Sequence, residues 1–292
     1  MSYRTSLSSV LAAFVAPAAE LTAGEGRFPR EAVSAFGRAG LLGLTVPRDS
    51  GGAGLGLSEA ADVVARTARV CPATAAVLAS HFGAVAAIEA RGGSWVREEV
   101  AAGRHLVGLA LGEDPYEAKY EAAHESSYGR CGSVAARFAD VVALRGRKRQ
   151  VVAAGEADSY LWSSRPLAGR DGLTLWVVPA QASDLFVPAR PCGGGPRGSA
   201  TSTLYADPVL VPADVMLGRD GGGLDVLTRT VRPWLLELTA AAAGALPGPG
   251  PGPEPEPGPG PGPGPGPEPN APLPRGRPSG QSWVVPAASC LR

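Results

Sequence analysis

The sequence lacks most of the features that assign a chain to a functional class at once. Its 27 basic residues are balanced by 27 acidic ones, so there is no basic excess for binding nucleic acid. No uninterrupted apolar run approaches the roughly 20 residues that cross a bilayer. The four cysteines show no CxxC or zinc spacing, which argues against a disulfide framework and a metal ribbon. These absences predict a soluble, cytoplasmic protein without nucleic-acid or membrane partners.

The one abrupt change of composition comes after Leu246. From Pro247 to Pro269 every second residue is proline, and the positions between them hold eight glycines and three glutamates. Such a segment has no apolar side chain and lacks half of its amide donors, so it can form neither a helix nor a sheet. We therefore expect a disordered, extended Pro/Gly-rich tail over residues 247–292.

Apolar residues near the N-terminus recur at the spacing of one helix face. They are Leu7, Val10, Leu11, Phe14 and Ala18, and the pattern predicts an amphipathic first helix. The alternative is a secretory signal peptide, although the apolar core of such a peptide needs no helical period.

Four more helices are expected before residue 104. One begins at Pro29, one is N-capped by Ser58, one begins at Pro72, and the last runs from Trp95 to Ala102. Five helices in about a hundred residues predict a helical bundle domain over residues 1–104.

The spacing of the apolar residues changes in residues 105–218. This region is rich in short apolar segments separated by turn-forming residues. The candidate strands are 106–111, 134–144, 149–152, 159–163, 173–178, 185–188 and 199–205. They predict an antiparallel β-barrel or sandwich. Residues 219–246 return to helical spacing, and Pro233 either kinks this helix or begins it. The predicted fold class is α+β: a helical bundle, a β domain, one helix and the tail.

Several stretches, in this order and spacing, resemble the acyl-CoA dehydrogenase family. They are Gly40–Pro47 with the loop Gly51–Gly54, Leu109–Glu113, Gly146–Lys148, Leu175–Pro179, and Val211–Asp214 with Gly221–Gly223. The resemblance implies a helical domain, a β domain and a C-terminal four-helix domain, usually assembled as a tetramer. It also implies FAD between the last two domains. In the family, a glutamate removes the α-proton of an acyl-CoA while a hydride passes to the flavin.

The resemblance implies five cofactor-binding residues, which are Glu113, Lys148, Gln150, Val151 and Val152. The family pattern is Thr-Glu-Pro followed by Gly-Ser-Asp, and here only Glu113 matches it. The family's strand carries an aromatic residue and a hydroxyl beside the flavin, where this sequence has Gln150 and Val152. Because valine donates no hydrogen bond, we expect FAD binding to be weakened.

The catalytic base is the second departure from the family. The family's C-terminal domain, which carries the usual glutamate, stops here after its first helix. Some members place the base on that first helix, and Glu237 lies one turn from the matching position, Trp234. Glu237 is therefore the candidate base, with an exposed helix glutamate as the ordinary alternative.

Two other features have competing interpretations. His81 lies on an apolar helix stripe and is either a functional acid or base or a buried, hydrogen-bonded histidine. The basic residues Arg145, Arg147, Lys148 and Arg149 could bind a phosphate of CoA or FAD, or could guard a sheet edge.

Three functions stay open from the sequence. The first is an acyl-CoA dehydrogenase-like FAD protein that is degenerate or truncated, is weakly active or inactive alone, and acts, if active, on an acyl-CoA or acyl-carrier thioester. The second is a non-catalytic partner of a full-length relative, in a homo- or hetero-oligomer. The third is a flavin monooxygenase on the same scaffold. A shifted reading frame or gene boundary would also explain the tail.

Overall fold

The computed structural model describes residues 2–112, 131–169, 171–189 and 194–246. The chain divides into two units after Leu246, so the predicted tail lies outside the described residues. The helices of the N-terminal part are α1 (Tyr3–Glu25), α2 (Arg30–Arg38), α3 (Leu57–Ala68), α4 (Pro72–Arg91) and α5 (Ser94–Ala101).

Helix α1 is amphipathic, but its buried face differs from the predicted one. Leu7, Val10 and Val15 are buried, whereas Phe14 is 38% exposed. A π-helical turn over Leu11–Val15 adds one residue to the turn, and this moves the inward position from Phe14 to Val15. The wide turn ends two residues before Pro17, which has no amide hydrogen to continue the regular ladder.

Helix α3 begins two residues earlier than the sequence indicates, with Gly56 as N-cap in place of Ser58. The Gly56 amide, not Ser58, caps the helix by donating to Glu59 Oε2 over 3.0 Å. A glutamate in the first turn satisfies an otherwise unpaired amide in the way that a capping box does. The expectation of Ser58 as N-cap was therefore wrong.

In the part of the chain that the structure describes, two helices, α1 and α4, are long and apolar enough to cross a membrane by length and composition alone. The apolar window of α4 is 83% buried inside the fold, which identifies α4 as the core helix of the bundle. The window of α1 is 22% buried and lies near the N-terminus, where a signal sequence would have the same composition.

Eight strands form two four-stranded sheets in the described residues. They are β1 (Val107–Ala110), β2 (Val134–Phe138), β3 (Val141–Val151), β4 (Ser159–Ser164), β5 (Thr174–Pro179), β6 (Leu185–Phe186), β7 (Ser202–Pro212) and β8 (Met216–Leu217). The first sheet has the order β1-β4-β5-β8 and the second β2-β3-β7-β6. The α+β class is as predicted. The β region is an open sandwich and not a closed barrel, and β1 pairs with β4 in parallel, which the sequence did not indicate.

The first sheet is buried on both faces because it lies between helices and the second sheet. Strand β1 packs on α4 on one side and on β3 on the other. The largest buried side chains, Trp162, Trp176 and Tyr160, belong to this sheet, and Trp162 is directly opposite Trp176. This aromatic layer joins the helical and β parts into one core.

The predicted strand 134–144 is in fact a hairpin. Phe138 is paired with Val141, and the turn between them is Ala139 and Asp140. Ala139 has φ 53, a left-handed conformation that alanine rarely adopts. Because the turn lacks glycine, proline and asparagine, its sequence did not mark it.

The chain returns to the helical part in helix α6. It consists of Gly223–Val226, a π-helical turn over Leu227–Val231, and Arg232–Ala245. The last segment packs on α3 and α4. The helix passes through Pro233 without beginning there, because the wide turn removes the need for the hydrogen bond that proline cannot donate.

Candidate functional site

Lys148, a predicted cofactor residue on β3, points into the sandwich. Its side chain is fully buried, and its ammonium donates to Ser163 Oγ over 2.8 Å. The ammonium also lies 5.3 Å from the centre of the Trp162 ring and 3.6 Å from Cys131 Sγ. The Lys148 side chain therefore lies inside the sandwich, with its nitrogen hydrogen-bonded to a buried serine.

Gln150 lies at an irregularity of the same strand. The pairing of β3 with β7 shifts between Lys148 and Val151, and Gln150 takes φ 55. Its side chain is exposed, and Oε1 accepts the amide hydrogen of Gly194 over 2.8 Å. The bulge therefore turns the Gln150 side chain outward, where its hydrogen bond holds the loop that contains Gly194.

The other predicted contacts on this strand are apolar. Val151 is fully buried, and Val152 is half-buried. The Arg149 amide donates to the Gly112 carbonyl over 2.8 Å, so the chain just before Glu113 lies beside β3. Glu113 itself is outside the described residues.

Glu237, the candidate base, lies on the exposed side of α6. Its neighbour Leu238 is fully buried, so Glu237 lies outside the buried face of the helix. Among the described residues Glu237 makes no ion pair. The geometry matches the ordinary alternative, a surface glutamate, and the role of Glu237 as a base stays a prediction.

These residues fit a flavin poorly. Of the four that the structure describes, Lys148 and Val151 face the core, Gln150 accepts a hydrogen bond from a loop, and Val152 has no polar group. A flavin needs donors aimed at its ring atoms and a base near the reacting carbon of the substrate. Among these four side chains only the Gln150 amide carries an exposed donor, and none of them is a carboxylate base.

The predicted basic cluster is also divided. Arg145 pairs with Asp207 at 3.4 Å, on the opposite side of the strand from the buried Lys148. The four cations therefore do not form one phosphate-binding surface.

A polar cleft, which the sequence did not indicate, lies where the helical and β parts meet. It has a volume of about 200 Å³ and is lined by Arg30, Arg104, His105, Glu156 and Asp158, among others. Its polar groups bind one another: Arg30 contacts Glu156, and His105 Nε2 lies 2.8 Å from the buried Ser159 Oγ. Burial lowers the pKa of His105. The cleft joins the two parts of the fold, and its groups are not arranged for nucleophilic catalysis because Ser159 is inaccessible.

The side chain of His81 links the helical part to the β part of the fold through hydrogen bonds. Its side chain is fully buried, Nε2 lies 3.0 Å from the Leu42 carbonyl, and Nδ1 accepts the Val107 amide hydrogen over 3.2 Å. Because the amide must donate, the ring is the neutral tautomer with its proton on Nε2. Burial lowers the pKa of His81 to about 4. The interpretation as a buried, hydrogen-bonded histidine is confirmed.

Helices, a two-sheet sandwich and a returning helix define the acyl-CoA dehydrogenase fold. Butyryl-CoA dehydrogenase from Megasphaera elsdenii has this fold, with a TM-score of 0.72 at 20% identity, over 83% of this chain and 64% of that chain. The dibenzothiophene monooxygenase TdsC from Paenibacillus sp. A11-2 shares it, with a TM-score of 0.69 at 16% identity, over 83% of this chain and 61% of that one.

The sequence comparisons agree with the fold. Residues 2–103 match the family domain described as "Acyl-CoA dehydrogenase, N-terminal domain". The short-chain specific acyl-CoA dehydrogenase of Clostridium acetobutylicum is 26% identical over 222 residues, which are 75% of this chain and 57% of that protein. The chain is thus similar to the acyl-CoA dehydrogenase family, whose N-terminal domain it matches over residues 2–103, and it spans less than two thirds of this relative.

Proposed function

We propose that this chain is a degenerate acyl-CoA dehydrogenase homologue that keeps the helical and β domains and has little or no dehydrogenase activity alone. The observation that carries the proposal is the position of Lys148, which is fully buried and bonded to Ser163. Of the predicted contacts on this stretch that the structure describes, Val151 and Val152 are apolar, and Gln150 is held by a loop through its Oε1.

The placement of Glu237 supports the same proposal. A base must reach the α-carbon of the thioester within hydrogen-bond distance of the proton it removes. Glu237 is exposed on α6, and it is the next residue, Leu238, that is buried.

The test is an acyl-CoA oxidation assay on the full chain with added FAD and a dye as electron acceptor. Losing a positioned base and the contacts that polarise the thioester costs about 10²–10⁴ in rate each. We expect turnover at least about 10³-fold below that of the Clostridium acetobutylicum relative assayed in parallel.

The variant Glu237→Gln gives the matched control. We expect it to leave any residual rate unchanged, because its carboxylate is not at a reacting centre. Turnover comparable to the relative's would refute the proposal, and its loss in Glu237→Gln would identify the base. The same preparation with reduced FMN, oxygen and dibenzothiophene, the compound after which the monooxygenase TdsC is named, tests the monooxygenase alternative, and we expect no oxygenated product.

A non-catalytic interaction role is the second candidate. The observation that favours it is an apolar outer face on the second sheet, where Phe138 is 66% and Leu210 61% exposed. Exposed apolar surface of this kind is typical of interaction sites.

A further inference from the structure

An amine and a thiol lie in contact inside the sandwich. Lys148 Nζ is 3.6 Å from Cys131 Sγ. Both atoms also approach the Ser163 hydroxyl, which is 2.8 Å from the nitrogen and 3.8 Å from the sulfur. Lys148 is fully buried, and Cys131 is 7% exposed. A nitrogen held this close to a cysteine sulfur is placed to react with it once the sulfur is oxidised.

The two partners differ in their freedom to move. The backbone that carries the sulfur is tied to the end of β4, because Arg165 Nε donates to the Cys131 carbonyl and the Arg165 amide to the Ser133 carbonyl, both over 2.8 Å. The Lys148 nitrogen, in contrast, ends a flexible stem of four carbons. Rotation within that stem brings the nitrogen to the sulfur while the strands stay in place.

The chemistry of cysteine supplies the route between the two groups. A neighbouring ammonium favours the thiolate, which is the form of cysteine that peroxides oxidise. The product is a sulfenic acid, which condenses with a nearby thiol to a disulfide or with a nearby nitrogen to a sulfenamide. Because Cys131 is largely buried, thiols of other molecules have little access to it, whereas the Lys148 nitrogen is already in contact.

We propose that hydrogen peroxide joins Cys131 and Lys148 through a reversible sulfur–nitrogen bond. The thiolate attacks one peroxide oxygen, the O–O bond breaks, and the departing hydroxide takes a proton from the Lys148 ammonium. The neutral amine then attacks the sulfur of the sulfenic acid and displaces hydroxide, which takes a second proton from the nitrogen. The sulfur loses two electrons, and the peroxide is reduced to two molecules of water. Two equivalents of an added thiol reverse the reaction and leave as their disulfide.

The bond would fasten the second sheet. It joins the segment that leads into β2 to β3, across a separation of 17 residues. A cross-link of this kind stabilises a fold mainly by restricting the unfolded chain, so the oxidised protein should unfold at a higher urea concentration than the reduced one. The proposal does not depend on flavin binding, and a chain that binds no FAD leaves it intact.

The experiment is peptide mapping by mass spectrometry after the full chain has been treated with hydrogen peroxide and its remaining thiols alkylated. We expect a pair of peptides joined through Cys131 and Lys148, lighter by two hydrogen atoms than the two separate peptides. Dithiothreitol should separate them again and return the Cys131 thiol. Wild-type protein in which Cys131 is unmodified, carries only added oxygen, or forms a disulfide with another cysteine would overturn the proposal.

Two variants show whether the nitrogen of Lys148 is the partner. Lys148→Met keeps the length of the side chain and removes the amine, so we expect no joined peptides and no rise of the urea midpoint on oxidation. Cys71→Ser is the matched control, because Cys71 is the other buried cysteine in the described part of the chain, at 3% exposure; it should leave the yield of joined peptides unchanged. Circular dichroism checks that both variants are folded. Loss of the bond in Cys71→Ser, or its persistence in Lys148→Met, would contradict the assignment.

Discussion

Gly37→Ala is expected to lower the free energy of unfolding by about 3 kcal/mol or more. A Cβ at Gly37, in the last turn of α2, would lie 2.2 Å from the Gly103 carbonyl oxygen. The relation is reciprocal, since a Cβ at Gly103 would lie 2.1 Å from the Gly37 carbonyl oxygen. Both obstacles are backbone, so no rotation of a side chain can relieve them, and the helix must separate from the chain that leads into β1.

Urea denaturation of the purified variant measures this loss. Gly24→Ala in α1 is the matched control because a Cβ there meets nothing within 4 Å. Replacing a helix glycine by alanine without a clash stabilises by about 0.5–1 kcal/mol. Equal effects of the two substitutions, or a loss below about 1 kcal/mol for Gly37→Ala, would contradict the packing of α2 on the domain junction.

His81 is expected to make stability fall as the pH drops from 6.5 to about 4. Burial lowers its pKa to about 4, so in this interval the unfolded chain binds a proton that the folded chain does not. Stability is therefore complete above the unfolded pKa and declines as the pH falls towards the folded one. The loss amounts to about 3 kcal/mol.

The variant His81→Gln separates this contribution from the titration of the carboxylates. It is expected to be less stable at neutral pH, by about 1–3 kcal/mol, because the Val107 amide loses its acceptor. Its urea midpoints should decline less steeply between pH 6.5 and 4 than those of the wild type. His105→Gln should leave most of the wild-type decline in place. Identical pH profiles for His81→Gln and wild type would contradict the buried neutral ring.

The order of helices and strands could be predicted because it depends on hydrophobic period. The change from a spacing of three and four residues to short β-rich segments falls near residue 105, just before β1 begins at Val107. The left-handed turn at Ala139 and the π-helical turns of α1 and α6 could not be predicted, because they depend on packing that overrides local propensity. Neither the turn at Ala139 nor either π-helical turn contains a glycine that would have marked it in the sequence.

The interior position of Lys148 had a signal in the sequence. Val142, Leu144 and Lys148 share one parity along β3, and all three are fully buried. The alternation of inward and outward residues along the strand therefore indicates that Lys148 faces the interior. Only the family motif suggested that Lys148 contacts a ligand. What alternation could not reveal is the partner, Ser163 on β4, because the two sheets meet only in the folded sandwich.

Titration of the full chain with FAD, followed by quenching of flavin fluorescence, tests the central claim most directly. The account predicts no saturable quenching at FAD concentrations that saturate the Clostridium acetobutylicum relative, and no rise in melting temperature. A stoichiometric complex that persists through gel filtration would contradict it, because β3 would then hold a flavin without the donors that the structure buries or binds elsewhere.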